Sequence, residues 1–259
     1  MQGATFRKSY KVENNNIINM KKELLYMDLA KYYDLIYYWK NYKKESEALL
    51  ELISKYSKSK KRDLLEVGCG TGHHLKYLKS KFKCVGTDIN QGILNIAKEK
   101  NKGVSFKKAD MINMELNQKF DIIISMFSSI GYVKTLSNLK KTLQNFSKHL
   151  KSGGIIIIEP WFSPEKFNSG KQILHTYEDD NIKIARMNLS KRKGTLSIIN
   201  MEYLIAEKGK DIVHFKEVHE LGLFETSRTL EIMKEVGLKS KFLKNGFMKD
   251  RGVFIAIKE

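Results

Sequence analysis

The chain has 259 residues, 42% of them hydrophobic, and a formal net charge of +18 at pH 7. This length and apolar fraction suit one α/β domain with an elaboration and exclude a largely disordered protein. No apolar run approaches the ~20 residues that a membrane span needs, and the polar N-terminus lacks an apolar signal core, so we expect a cytoplasmic protein. The 47 Lys and Arg residues are scattered singly and in pairs, which favours a solvated basic surface but leaves an anionic substrate or RNA open.

The cysteines and histidines show no pattern of metal ligands. The two cysteines can form neither a disulfide framework nor a four-thiolate site, so we expect buried thiols. His73 and His74 are neighbours on a predicted helix and therefore diverge. His214 and His219 are an odd number of residues apart on a predicted strand, so they point to opposite faces. We expect no metal site.

Apolar residues from Ala48 to Tyr56 recur at helical spacing, and predicted strands and helices then alternate along the chain. An amphipathic pattern from Leu136 to Leu150 predicts a helix that is stopped by Gly153 and Gly154. The alternation indicates a doubly wound, mostly parallel sheet with right-handed crossovers. The first strands of this sheet are predicted at Asp63–Val67, Cys84–Thr87, Val104–Lys107, Phe120–Ser125 and Ile155–Glu159.

The pattern changes between residues 172 and 221, where strand-like runs follow one another without helices and predict an inserted antiparallel sheet. A helix at Thr226–Val236 and strands at Lys239–Leu243 and Val253–Ile257 then complete a seven-stranded core sheet. The expected parts are a flexible tail (1–22), an N-terminal helical lid (23–62), a cofactor-binding core (63–160), the antiparallel insert (161–224) and the C-terminal part of the core (225–259).

The stretch LLEVGCGTGHHL (64–75) places Gly68, Gly70 and Gly72 between a predicted strand and a predicted helix. The dinucleotide fingerprint G-x-G-x-x-G needs its third glycine where this chain has His73. The phosphate loop G-x-x-x-x-G-K-[ST] fails as well, because no Lys-Ser or Lys-Thr follows. The loop therefore resembles nucleotide-binding loops but matches neither pattern that grips phosphate.

Acidic residues stand at the ends of the first three strands, where an open α/β sheet binds its ligands. Asp88 lies 20 residues after the first glycine and is placed to accept the hydroxyls of a ribose, while Glu66 would repel a pyrophosphate and suit a cation. A nucleoside with a positively charged tail fits these residues, and S-adenosylmethionine is such a ligand, whereas NAD and ATP are not. The alternative is a glycine-rich turn in some other α/β protein.

LEVGCGTG, GTDIN and KADM together resemble the motifs of class I S-adenosylmethionine-dependent methyltransferases. In that family GTDIN supplies the ribose carboxylate, and KADM supplies residues that contact adenine. The resemblance implies a Rossmann-like methyltransferase fold with S-adenosylmethionine as cofactor. The expected cofactor-binding residues are Tyr37, Glu66, Gly68, Gly70, Asp88, Ile89, Asp110, Met111 and Met126.

A narrower resemblance is to the dTDP-aminosugar N,N-dimethyltransferases, carried by YYDLIYYWKNY (32–42), MFSSIGYVKT (126–135), EPWFSPEKF (159–167), ARMN (185–188), HELGLF (219–224) and RGVF (251–254). It implies N-methylation of a small polar amine such as an aminosugar. It also implies that the N-terminal segment lies over the cofactor and that the insert covers the substrate and helps to form a homodimer. The alternative for the tyrosine-rich segment between Tyr26 and Tyr42 is an aromatic helix packed on the sheet.

Two residues are candidates for the chemistry, and three for binding the substrate. Tyr132 follows the fourth strand and would orient the amine, the alternative being simple packing. His219 matches a family histidine and is the better proton acceptor, although a structural role is open. Arg186 and Arg251 could each hold a phosphate or carboxylate, or could lie unpaired on the surface. Trp161, in one of the matching stretches, is the third expected substrate contact.

Two other functions compete with methylation of a small molecule. An RNA methyltransferase is suggested by the charge, but Met126-Phe127-Ser128-Ser129 stands where adenine N6 enzymes carry N/D-P-P-Y/F. Cytosine C5 enzymes need a cysteine after the fourth or fifth strand, and neither cysteine of this chain lies there. The third possibility is a non-catalytic partner subunit that binds S-adenosylmethionine.

Overall fold

The computed structural model describes residues 30–57 and 62–259, which form a seven-stranded sheet and a four-stranded sheet. The predicted tail and Tyr26 lie outside the described residues. The helices are α1 (Tyr33–Ile36), α2 (Tyr42–Tyr56), α3 (His73–Leu78), α4 (Gln91–Lys100), α5 (Leu136–His149) and α6 (Thr226–Glu235). The strands are β1 (Asp63–Val67), β2 (Lys83–Asp88), β3 (Ser105–Lys108), β4 (Phe120–Ser125), β5 (Leu150–Ile158), β6 (Gln172–Glu178), β7 (Ile182–Lys193), β8 (Leu196–Glu207), β9 (Val213–Gly222), β10 (Leu238–Leu243) and β11 (Val253–Lys258).

The larger sheet has the strand order β10-β11-β5-β4-β1-β2-β3. Every pairing is parallel except those of β11, which runs antiparallel to both of its neighbours. This confirms the predicted doubly wound, mostly parallel sheet. The central strand β4 is buried along its whole length, as its continuous apolar run indicates. The strand order reverses between β1 and β4, so the crevice for a ligand lies above their carboxyl ends.

The boundary between α5 and β5 differs from the prediction. The helix ends at His149, not at Gly153 and Gly154, which both lie inside β5. Leu150 is already extended, with φ −90° and ψ 136°. The glycines serve the strand instead, because a Cβ on Gly154 would lie 2.9 Å from the carbonyl oxygen of Asp121, where the register of β4 and β5 shifts. The other predicted elements differ from the observed ones only by short shifts at their ends.

The four-stranded sheet is the predicted antiparallel insert, with the order β6-β7-β8-β9. Along β7, β8 and β9, side chains alternate between a buried and a more exposed face. The buried face forms a hydrophobic cluster with Tyr32, Tyr33 and Ile36 from the segment that precedes α2. The insert and the N-terminal segment are therefore packed together at the same side of the core. No helix in the described part of the chain is long and apolar enough to cross a membrane.

A chain of buried charged side chains fixes α2 to the core sheet. Lys40, just before α2, donates to Oε1 of Glu45, and Nε2 of His74 lies 2.9 Å from Oε2 of the same carboxylate. Nδ1 of His74 lies 2.9 Å from Oε1 of Glu66, at the carboxyl end of β1. We call these four residues the buried charge chain. It connects the N-terminal segment, α2, α3 and β1.

The buried charge chain keeps His74 protonated. Burial alone would lower the pKa of His74, but the adjacent carboxylates of Glu66 and Glu45 raise it to about 9. Burial likewise opposes ionisation of Glu45, yet His74 and Lys40 hold its pKa below the ordinary value. Two positive and two negative groups thus neutralise one another out of contact with water, as buried charges require.

Because the folded pKa of His74 lies above the unfolded value, this residue stabilises the fold fully below about pH 6.5, and the stabilisation is lost as the pH rises through about 9. We expect the contribution to be about 3 kcal/mol. The free energy of unfolding, measured by denaturant titration between pH 6 and pH 10, should therefore fall more steeply in the wild type than in His74→Gln. His214→Gln, which changes a half-exposed histidine, should keep the wild-type slope. Parallel curves for wild type and His74→Gln would contradict this assignment.

Candidate active site

A cavity of about 1250 Å³ lies between the carboxyl edge of the core sheet and the buried face of the insert. Each residue that the sequence predicts for the site lines this one cavity. The core side contributes Glu66, Gly68, Gly70, Asp88, Ile89, Asp110, Met111, Met126 and Tyr132, and the remaining wall contains Tyr37, Trp161, Arg186, His219 and Arg251. The fold thus brings together residues that are more than 200 positions apart in the sequence.

The first three amides of the glycine loop already donate hydrogen bonds within the protein and cannot bind a phosphate. The amides of Gly68 and Cys69 donate to the carbonyl of Thr87, at 2.8 and 2.9 Å. The amide of Gly70 donates to Oδ2 of Asp88 at 3.0 Å. A phosphate-binding loop needs such N–H groups to point at the ligand. Here they hold the end of β2, which explains why the loop departs from the phosphate-binding patterns.

Two glycines in the loop adopt left-handed backbone conformations that other residues rarely take. Gly68 has φ +70°, and a Cβ there would lie 2.6 Å from Cβ of Ser129. Gly70 has φ +54°, and a Cβ there would meet no atom within 4 Å, because this residue faces the cavity. The first glycine lets the loop pass the segment after β4, and the second lets a ligand approach the backbone.

Carboxylates stand at the ends of three strands, as the sequence predicts. Both oxygens of Asp88 are oriented by backbone amides, Oδ2 by Gly70 and Oδ1 by Asn90, each at 3.0 Å. His74 holds Oε1 of the buried Glu66, while Oε2 has no hydrogen-bond partner among residues 30–57 and 62–259. Asp110 accepts from the amide of Ile112 at 2.9 Å.

These donor and acceptor groups fit an S-adenosyl ligand. Asp88 offers an acceptor to ribose hydroxyls, and the unpaired Oε2 of Glu66 offers one to an ammonium group. An uncompensated carboxylate oxygen that is buried is costly, so a cationic ligand at this position would be stabilised. Met111 and Ile89 supply apolar surface beside Asp88 and Asp110, as an adenine ring requires.

Two arginines with unused N–H groups line the cavity, the buried Arg186 from β7 of the insert and the partly buried Arg251 from the connection between the core strands β10 and β11. Arg186 is 3% exposed, and its guanidinium lies 4.9 Å from the ring centre of Tyr37. Its Nε and Nη1 have no hydrogen-bond partner within the described part of the chain. Arg251 donates from Nη1 to Oγ of Ser128 at 2.9 Å and lies 4.5 Å from the ring centre of Trp161. Neither arginine is the unpaired surface residue that the sequence left open.

Tyr132 and His219 meet at the wall of the cavity. The Tyr132 hydroxyl lies 2.6 Å from Nδ1 of His219, which is 3% exposed on the buried face of β9. Nε2 of the same ring lies 3.2 Å from Oε2 of Glu217. His214 lies on the other face of β9 and contacts Glu202, so the two histidines of this strand diverge as predicted. No group of metal-ligating side chains occurs among the described residues.

Sequence reasoning missed four residues that hold this site. Lys40, Glu45 and His74 fix Glu66 through contacts between residues far apart in the chain, for which the sequence gives no local signal. Glu217 is different, since it precedes His219 by two residues in a predicted strand. The strand period of two places both side chains on one face, so this pair could have been found.

Residues 64–154 match the family model described as "Methyltransferase domain". The dTDP-3-amino-3,4,6-trideoxy-alpha-D-glucopyranose N,N-dimethyltransferase of Streptomyces venezuelae is 31% identical, over 89% of this chain and 98% of that protein. The dTDP-3-amino-3,6-dideoxy-alpha-D-glucopyranose N,N-dimethyltransferase of Streptomyces fradiae is also 31% identical, over 89% of this chain and 91% of that protein.

A solved structure gives the same result. The crystal structure of Streptomyces venezuelae DesVI superimposes with a TM-score of 0.84 and 30% identity, covering 90% of this chain and 99% of that one. The likeness thus includes both the core sheet and the insert. The chain belongs to the S-adenosylmethionine-dependent methyltransferases, in the family of the dTDP-aminosugar N,N-dimethyltransferases.

Proposed function

We propose that this enzyme methylates the amino group of an aminosugar that carries a nucleoside diphosphate. The observation that carries the proposal is that this cavity is lined by groups of both charges. Glu66 and Asp88 lie at the ends of β1 and β2, and Arg186 of the insert and Arg251 of the β10–β11 connection have unused N–H groups. A cationic cofactor suits the carboxylates, and an anionic acceptor suits the arginines.

S-adenosylmethionine supplies an electrophilic methyl group when it is bound. In the proposal Asp88 holds the ribose hydroxyls, Glu66 holds the amino group, and Asp110 with Met111 contacts the adenine. Gly68, Gly70, Ile89 and Met126 shape the same half of the site, and Tyr37 lies over it. The oriented carboxylate of Asp88 and the unpaired oxygen of Glu66 support these roles.

The protein contributes position and exclusion of water, and needs no covalent nucleophile. Tyr132 orients the acceptor amine through its hydroxyl, and His219, 2.6 Å from that hydroxyl, fixes it. The cavity is closed on the insert side by the packed N-terminal segment and β-sheet. Alignment of the reactants in a water-poor site is the main source of acceleration for such a transfer.

The acidic part of the acceptor would contact Arg251, Arg186 and Trp161. The Arg251 guanidinium is already oriented by Ser128 and by the Trp161 ring, so little side-chain freedom is lost on binding. The relatives named above act on dTDP-linked aminosugars, which supports a nucleotide-linked acceptor for this chain.

A homodimer and a cytoplasmic location complete the proposal, and RNA is not expected as the acceptor. Large apolar side chains are exposed on the outer face of the insert, among them Leu174, Met187, Leu204 and Val218, and a second copy of the chain could cover them. Both cysteines are free thiols, which suits a reducing compartment. Lys134, Lys166, Lys171 and Lys249 line the cavity together with Arg186 and Arg251, so the expectation against RNA rests on the relatives that act on dTDP-linked aminosugars.

Methyl transfer is tested directly by incubating the protein with S-adenosylmethionine and a panel of acceptors. The panel contains a dTDP-linked 3-aminosugar, a dTDP-linked 4-aminosugar, the corresponding free aminosugars and total RNA. We expect mass spectrometry to detect N-methylated nucleotide sugar with equimolar release of S-adenosylhomocysteine. Methylation of RNA alone, or of no member of the panel, would contradict the proposal.

Asp88→Ala is expected to weaken S-adenosylmethionine binding by about 1–3 kcal/mol, because two ribose hydroxyls lose a charged acceptor. Isothermal titration calorimetry measures the change. Asp180→Ala removes an exposed aspartate and should leave the affinity unchanged. Unchanged affinity in a folded Asp88→Ala variant would remove Asp88 from the cofactor site.

Arg251→Ala is expected to raise the KM of the acceptor by about ten- to a hundredfold while leaving cofactor affinity alone, because one partly desolvated charged contact is lost. The KM should depend only weakly on salt. Arg228→Ala, which alters an exposed helix residue, is the matched control. A steep salt dependence with little difference between wild type and Arg251→Ala would instead indicate a nucleic-acid acceptor bound by many lysines.

A further inference from the structure

We propose that Glu217 is a positioning residue that sets His219 to receive, through Tyr132, the proton that the acceptor ammonium must lose. This inference rests on the proposed N-methylation. Tyr132, His219 and Glu217 form one continuous line of hydrogen bonds from the cavity wall into the insert. The tyrosine oxygen lies 2.6 Å from Nδ1 of His219, and Nε2 of that ring lies 3.2 Å from Oε2 of Glu217.

The partners define which ring nitrogen carries the proton. An ionised carboxylate can only accept a hydrogen bond, so Nε2 of His219 donates to Glu217. Nδ1 of the neutral ring is then an acceptor, and the hydroxyl of Tyr132 donates to it. A hydroxyl that donates one hydrogen bond can also accept, and Tyr132 lines the cavity, so its oxygen can accept a hydrogen bond from an amine bound there.

Because Glu217 is buried among largely apolar side chains, water does little to screen the attraction between its carboxylate and a protonated His219. The Glu217 side chain is fully buried, and its cross-strand neighbour on β8 is the apolar Met201. Three other titratable or charged side chains lie on this face of the insert: Tyr203 of β8, Arg186 of β7 and Tyr33 of the N-terminal segment. Burial and the nearby charges of Tyr37 and Glu217 raise the pKa of Tyr203. Arg186 lies beside Tyr203, and Tyr33 lies near Tyr132. The Glu217 carboxylate contacts the His219 ring directly through Oε2.

The line of hydrogen bonds can carry one proton from the acceptor nitrogen to His219. The acceptor nitrogen gives a proton to the tyrosine oxygen, and the hydroxyl proton of Tyr132 moves to Nδ1 of His219. The nitrogen keeps its electron pair, which is the pair that must attack the methyl carbon. The imidazolium is stabilised by the Glu217 carboxylate and releases its proton to solvent when the product leaves.

The histidine is needed because a tyrosine alone is a poor base. A free tyrosine has a pKa of about 10 and cannot hold a second proton at neutral pH, whereas a free histidine has a pKa of about 6.5. If the hydroxyl passes its own proton to the imidazole while it accepts one from the amine, the tyrosine oxygen never has to hold two protons. The arrangement is that of a nucleophile–base–carboxylate triad, with the amine taking the place of a protein nucleophile.

The test compares Glu217→Gln with Glu178→Gln, an exposed glutamate of the same sheet. In Glu217→Gln we expect kcat to fall about ten- to a hundredfold, with the KM values of cofactor and acceptor nearly unchanged. We also expect the acidic limb of the kcat profile to move to lower pH, because the imidazolium loses its carboxylate. Glu178→Gln should behave as wild type, and Glu217→Asp should recover part of kcat.

A second measurement does not depend on turnover. In the protein without ligands, nuclear magnetic resonance of labelled histidine, assigned with His219→Gln, should show a lower pKa for His219 in Glu217→Gln than in the wild type. The double variant Glu217→Gln/Tyr132→Phe should be little slower than Tyr132→Phe alone, since the residues act as one unit.

Three results would overturn the inference: an unchanged His219 pKa in folded Glu217→Gln, an unchanged kcat profile, or additive losses in the double variant. If the wild-type protein methylates no amine, the proposed N-methylation is wrong. The nuclear magnetic resonance measurement would then still test separately whether Glu217 controls the protonation of His219.

Discussion

Four charged side chains that are largely removed from water fix the geometry of this protein. Lys40, Glu45, His74 and Glu66 can be buried together only if each meets its partner, because an isolated buried charge costs several kcal/mol. Satisfying this condition sets the N-terminal segment, α2, α3 and β1 in one arrangement. The arrangement leaves a single oxygen of Glu66 unpaired beside the glycine loop.

That oxygen explains how a fold shared with phosphate-binding proteins serves a cationic ligand. In phosphate sites the loop amides point outward, whereas here Gly68 and Gly70 direct theirs to the end of β2. The site then offers carboxylates in place of N–H groups. Arg186 from the insert and Arg251 from the β10–β11 connection bring positive charge to the same cavity.

The sequence was informative wherever function depends on local spacing. The buried run of β4 and the alternation of β7 to β9 predicted both sheets, and the spacing of Asp88 from the glycines placed its carboxylate in the cavity beside the loop. The end of α5 was wrong because Gly153 and Gly154, which commonly stop helices, here allow a shift in strand register. Local patterns cannot distinguish these two uses of glycine.

The rest of the site depends on contacts between distant residues. Glu45 and His74 are 29 positions apart, and Tyr132 and His219 are 87 apart, so only the packed fold brings them together. The secondary structure of the N-terminal segment also could not be predicted from its composition. In the described part of this segment, Tyr32, Tyr33 and Tyr37 pack against the insert from a 3-10 turn (Ala30–Tyr32) followed by the short helix α1, and not from one continuous aromatic helix.

We propose that one cavity holds the cofactor and the acceptor, with Tyr132 beside the acceptor nitrogen. A crystal structure with S-adenosylhomocysteine and a nucleoside diphosphate-linked aminosugar would show both ligands in place. We expect ribose hydroxyls at Asp88, the diphosphate at Arg251, and the sugar nitrogen within hydrogen-bond distance of the Tyr132 hydroxyl. A nitrogen held away from Tyr132, or a diphosphate bound outside the cavity, would contradict it.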